Sequence, residues 1–139
     1  MTQPSRTRGP GRLIVFVYAV FVVGTVSRAA YQISTSWDQA PVAYGLSAFA
    51  ALVYVVAASS LVLPGRGAWW VSVVAIGVEL LGVLVVGTWS VLDPATFPRD
   101  TVWSAYGRGY LFIPLLLPVA ALWWLWRNRP SATESRPAR

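Results

Sequence analysis

Charged residues punctuate this 139-residue chain so rarely that three stretches, 13–27, 39–65 and 109–126, carry none at all. A fourth, 67–92, carries only Glu79. An α-helix needs roughly 20 apolar residues to cross ~30 Å of hydrocarbon. Inside lipid every backbone amide must find its partner within its own helix or around a closed barrel. These stretches are solidly apolar and show no two-residue alternation, so barrel strands are excluded. The chain is therefore expected to be all-α: an integral membrane four-helix bundle with spans over 13–35, 41–63, 69–91 and 107–126. A soluble protein with four apolar core helices is the alternative. It fails because only 12% of the residues are charged, too few to cover a surface.

The connections carry residues that interrupt helices. Residues 36–40 form a short link, Pro64-Gly65-Arg66-Gly67 a tight turn, and 92–106 the one long loop, with Pro94 and Pro98. Asp100 is expected to cap a helical turn leading into the fourth span. The tails 1–12 and 127–139, rich in Pro, Ser, Thr and Arg, read as disordered.

Arginine sets the threading. Arg6, Arg8, Arg12, Arg66, Arg127, Arg129, Arg136 and Arg139, with Glu134, place +7 on one side. Arg99 and Arg108 against Asp38, Asp93 and Asp100 place −1 on the other, while Arg28 and Glu79 oppose each other within spans. By the positive-inside rule both termini face the cytoplasm, in agreement with an even number of spans. The eight tryptophans all fall at expected span ends: Trp69, Trp70, Trp123, Trp124 and Trp126 on the cytoplasmic side, Trp37, Trp89 and Trp103 on the other, with Tyr106 and Tyr110. Interfacial anchoring accounts for them without an aromatic ligand cage. A second reading of residues 1–29 remains open. An Arg-rich start, an apolar run and Ser27-Arg28-Ala29 also fit a cleaved signal peptide, although apolar character resumes through Ile33.

The net charge of +6 invites a nucleic-acid partner. Most of the arginines sit in tails and one turn without a basic face, so none is expected. The expected partners are the bilayer, with anionic headgroups against the Arg-rich tails, and a membrane-protein partner or a second copy of the chain.

The chain has no Cys, no His and no Lys. Thiolate metal sites, histidine triads and lysine Schiff bases are thereby excluded, and no cofactor and no enzymatic activity are expected. What remains is Arg28 and Glu79. A charge inside a membrane is expensive and normally faces the bundle interior with a partner. A buried Arg28–Glu79 pair linking spans one and three is the first expectation. Arg28 reaching the outer headgroups with Glu79 protonated or bonded to Tyr or Ser, and a proton- or cation-binding Glu79, stay open beside it. The faces around them form polar seams. Phe21, Thr25, Arg28 and Gln32 share one face of span one. Tyr44, Ser47, Ala51, Tyr54 and Ala58 follow in span two, and Ser72, Ala75, Glu79 and Gly82 in span three. Tyr44, Tyr54 and Ser47 are candidates to complete the hydrogen bonding of Glu79. Pro114 and Pro118 lie on one face of span four and favour a kink.

Three strings carry a resemblance: Trp37-Asp38-x-Ala40-Pro41-x-Ala43-Tyr44-x-x-Ser47-Ala48, Gly77-Val78-Glu79-Leu80-x-Gly82, and Thr101-Val102-Trp103-Ser104 followed by Tyr110, Pro114 and Pro118. With them the chain resembles small uncharacterised four-span integral membrane proteins of actinobacteria. The resemblance implies a bacterial plasma-membrane location and the four-span fold, and brings no activity. Three functions fit these features. The first is a structural or accessory subunit. The second is a small proton-coupled transporter or permease using Glu79. The third, with the least support, is an outer-face enzyme built on Asp93, Arg99, Asp100 and Arg108.

Overall fold

The computed structural model describes residues 10–97 and 101–129. The expectations for residues 1–9 and 130–139 of the tails, and for Asp100 as a cap, lie outside them. Four α-helices follow in order: α1 (Pro10–Ser36), α2 (Pro41–Val62), α3 (Arg66–Leu92) and α4 (Ile113–Arg127). Short 3-10 stretches occur at Trp37–Gln39, Pro94–Thr96 and Ser104–Tyr110. No strand occurs among the described residues.

The helix boundaries follow from local chemistry. Pro41 opens α2 at the position where its missing N–H costs nothing. At the other end of α2, Leu63 is extended (φ −90°, ψ 142°), the conformation that a following proline imposes. Gly65 then takes φ +99°, open to glycine at little cost, and α3 begins at the next residue.

At 1.5 Å per residue the 27, 22 and 27 residues of α1, α2 and α3 measure about 40, 33 and 40 Å. All three are long and apolar enough to cross a membrane. They are apolar inside and out. Tyr18, Ala57, Leu61, Ile76 and Val83 are buried, while Leu13, Phe16, Val23, Leu52, Val74 and Leu81 stand exposed on the outer surface. A helix hydrophobic all round belongs in a large core or a bilayer, and among the described residues no further layer covers these outer faces.

The fourth segment departs from the expected span of 107–126. Its helix begins only at Ile113, and 15 residues reach about 22 Å. Residues 107–112 belong to a bent lead-in, and the Ser104–Tyr110 stretch meets α4 at 97°. Counted with that lead-in as one broken span, α4 is the fourth membrane-length element. The cause is in the backbone. Ala105, Tyr106, Leu111 and Phe112 all have positive φ, as does Gly107, and a right-handed helix cannot pass through them. Pro114 in the first turn of α4 fixes where regular helix resumes. Pro118, inside α4, is fully buried.

α1 packs on α2, α2 on α3, and α3 on α4 and its lead-in, while α4 also touches α1. Two hydrogen bonds fix the shared end. Ser72 near the start of α3 donates to Ser60 near the end of α2 at 2.8 Å. The Trp69 indole donates to the carbonyl of Leu125 near the end of α4 at 2.9 Å. The end of α2, the start of α3 and the end of α4 therefore lie together.

Candidate functional site

Glu79 lies in the middle of α3 and is fully buried. The Tyr18 hydroxyl of α1 donates to its Oε1 at 2.5 Å, joining α1 to α3. Its other oxygen, Oε2, has no hydrogen-bond partner. The Tyr54 hydroxyl of α2 lies close to the same carboxyl. That hydroxyl in turn accepts from the Trp103 indole at 3.3 Å.

Aromatic rings enclose this group. Tyr18 and Tyr54 are 6.0 Å apart between centroids, Phe21 stacks on Tyr54 at 5.5 Å, and Trp103 stands 6.5 Å from Tyr54. Tyr110 closes on Phe21 at 5.8 Å. Every ring presents apolar surface to the cluster, and the only polar atoms it brings are phenol hydroxyls and one indole N–H. The result is a single carboxyl in a water-poor aromatic shell. Among the described residues no three acidic, His or Cys side chains gather to hold a metal.

The expected Arg28–Glu79 pair gives way to two separate contacts. Glu79 meets Tyr18, and the Arg28 guanidinium donates to the Tyr110 hydroxyl. Axial register is the reason. Tyr18 sets the level of Glu79 on α1, and Arg28 lies ten residues further on, about 15 Å along the helix. That separation exceeds what an arginine side chain spans by folding back.

The other candidates spread along the interior. Tyr54 reaches the Glu79 level, as its place on the seam implied. Tyr44, ten residues earlier, is buried about 15 Å away along α2. Ser47 is also buried on that helix, between the two tyrosines in sequence. Ser72 bonds Ser60 and its own backbone at Ala68 rather than Glu79. Thr25 returns its hydroxyl to the carbonyl of Phe21 at 2.6 Å, a bond within α1. Gln32 is half-buried, with its Oε1 lacking a hydrogen-bond partner.

Two residues of the site were not anticipated from sequence. Tyr18 continues the α1 seam one turn towards the N-terminus, at i−3 from Phe21, and extending the pattern would have found it. The sequence position of Trp103 implies an interface. Instead it is 1% exposed, seated against Gly82. Tyr106, expected at the outer boundary, packs on Gly87, and its hydroxyl shares a 2.7 Å hydrogen bond with Thr88. Trp69 and Trp124 are likewise buried in helix packing, whereas Trp37, Trp70, Trp89, Trp123 and Trp126 are exposed.

No protein-family model matches the chain, and no curated protein or solved structure is similar enough to count as a match.

Proposed function

We propose that this chain is a multi-pass integral membrane protein of the bacterial plasma membrane, with four spans in a bundle and both termini cytoplasmic. Its role is that of a structural or accessory subunit rather than an enzyme. The membrane reading draws on helices apolar on every face and on the sorted arginines. The subunit reading draws on one observation: the interior is closed around its only described carboxyl. Tyr18, Tyr54 and Trp103 spend their polar atoms on one another and on Glu79, and aromatic rings fill the surroundings. The apolar outer faces of α1 and α3 offer a lipid-facing surface to a membrane-protein partner or a second copy. Purification in mild detergent, with mass spectrometry of what co-purifies, tests this. A stable partner at fixed stoichiometry supports the reading, and substrate flux by the purified chain alone in liposomes overturns it.

A second reading is favoured by one atom. Glu79 Oε2 is buried without a partner, and such an oxygen suits a carboxyl that takes up and releases a proton. On that reading the protein is a small proton-coupled transporter caught closed. Proton uptake into liposomes that Glu79→Gln abolishes would favour it, and equal uptake by the variant would remove it.

A further inference from the structure

Far from Glu79, at the end where α3 starts and α4 finishes, a pocket of about 330 Å³ is lined by Arg66, Trp69, Trp70, Trp126 and Arg129. Among the described residues its lining holds two guanidinium groups and no acidic side chain. The Arg129 guanidinium lies 4.2 Å from the centre of the Trp126 ring, so stacking holds one cation over the pocket wall. The Trp69 indole forms a fixed wall through its bond to the Leu125 carbonyl, with Trp70 edge-on to it at 4.9 Å. Arg66 opens α3, which has no side-chain cap and no acidic residue in its first turn. The first amides of a helix have no acceptor within it, and they add positive potential on the same side.

We infer that this pocket binds the phosphate of an anionic phospholipid. Guanidinium groups and helix-start amides recognise phosphate, and a pocket of this size takes a headgroup but not a whole lipid. A phosphate ion free in solution has the same charge. The tryptophans argue for the lipid, because Trp70 and Trp126 are each more than half exposed and continue into the apolar outer faces of α3 and α4 at Val71, Val74 and Trp123. An acyl chain leaving the headgroup would lie on those faces. Indole rings at this depth mark the membrane–water boundary. The inference rests on the membrane reading above and adds a defined lipid site to it.

The test is native mass spectrometry of the purified chain, released from mild detergent after incubation with equal amounts of phosphatidylglycerol and phosphatidylcholine. The expected result is retention of a single phosphatidylglycerol, with a preference of roughly tenfold or more over phosphatidylcholine. Arg66→Gln combined with Arg129→Gln removes the preference, while Arg108→Gln, at the opposite end of α4, leaves it intact. Circular dichroism checks that the double variant is folded. If it is not, the single variants are compared, each expected to weaken the preference. Equal retention of both lipids by the unaltered chain overturns the inference. So does displacement of the lipid by excess inorganic phosphate, which would make this a site for a soluble anion. Extraction of cell membranes at alkaline pH separates the two failures. A chain that stays in the membrane but shows no lipid preference loses only the lipid site, and a chain that leaves the membrane loses the membrane reading itself.

Discussion

The Trp103 indole occupies the space that a side chain on Gly82 would fill. A Cβ at Gly82 would stand 2.5 Å from the ring, inside any real contact distance. Gly82→Ala must therefore push a fully buried indole out of its notch and break its bond to Tyr54. Overpacking of this kind costs about 1–3 kcal/mol. Thermal unfolding in detergent is expected to show a lowered midpoint, with part of the loss recovered when Trp103→Leu is added.

Tyr18→Phe removes the 2.5 Å hydrogen bond to Glu79 Oε1 and leaves that buried carboxyl oxygen unmatched. The expected loss is about 1–3 kcal/mol. Glu79→Leu alone strands the Tyr18 hydroxyl and costs a similar amount. The two together remove both partners and are expected to cost clearly less than the sum of the single changes. A double-mutant cycle on unfolding free energies measures this, and simple additivity would mean the hydrogen bond contributes nothing.

The lead-in to α4 stores strain that glycine would release. Ala105 has φ +50° and ψ 42°, left-handed values that cost a non-glycine residue about 1–2 kcal/mol. Its amide is held there by the Ser90 hydroxyl at 2.8 Å. Ala105→Gly keeps that bond and lifts the penalty, against some added freedom in the unfolded chain. A net gain of about 0.5–1 kcal/mol is expected, read as a raised unfolding midpoint. Gly107→Ala goes the other way, since φ is +82° and a Cβ would meet Pro114 at 2.7 Å.

Asp93, just past the end of α3, accepts a 2.6 Å hydrogen bond from the Thr96 hydroxyl, which holds its carboxyl below the ordinary aspartate range. A depressed value in the folded state means that this contribution is present above the unfolded value and fades as pH falls through the folded one. Thr96→Val is expected to move the Asp93 titration upward. Side-chain carboxyl chemical shifts followed through the acidic range give the measurement.

The apolar stretches, the turn at Gly65 and the buried faces of α2 and α3 were legible in the sequence because each depends on residues close along the chain. Tyr54, Ser72 and Glu79 all face inward as the three- and four-residue spacing requires. The pairing across helices was not legible. Whether Glu79 meets Tyr18 or Arg28 depends on how far each helix slides along its neighbours, and periodicity within one helix is silent on that. Trp103 escaped for a related reason. Its seat exists through the missing side chain of a glycine 21 residues earlier, and composition alone placed the indole at a boundary. The left-handed run could not be foreseen, because Ala, Tyr, Leu and Phe are poor residues for it and contacts distant in sequence, such as the packing of Tyr106 on Gly87 and the Ser90 bond, help hold it in place.

That run has a consequence for how the protein is made. Irregular backbone cannot rest against lipid and is tolerated at membrane depth only under the cover of other helices. Residues 101–112 find that cover on α3, in the notches at Gly82 and Gly87, and their amides lean on hydroxyls such as that of Ser90. On the proposed membrane reading, α1, α2 and α3 satisfy their backbone groups within themselves, whereas residues 101–112 need α3 beside them. The fourth segment is therefore expected to settle after the third, which gives the proposed insertion an order.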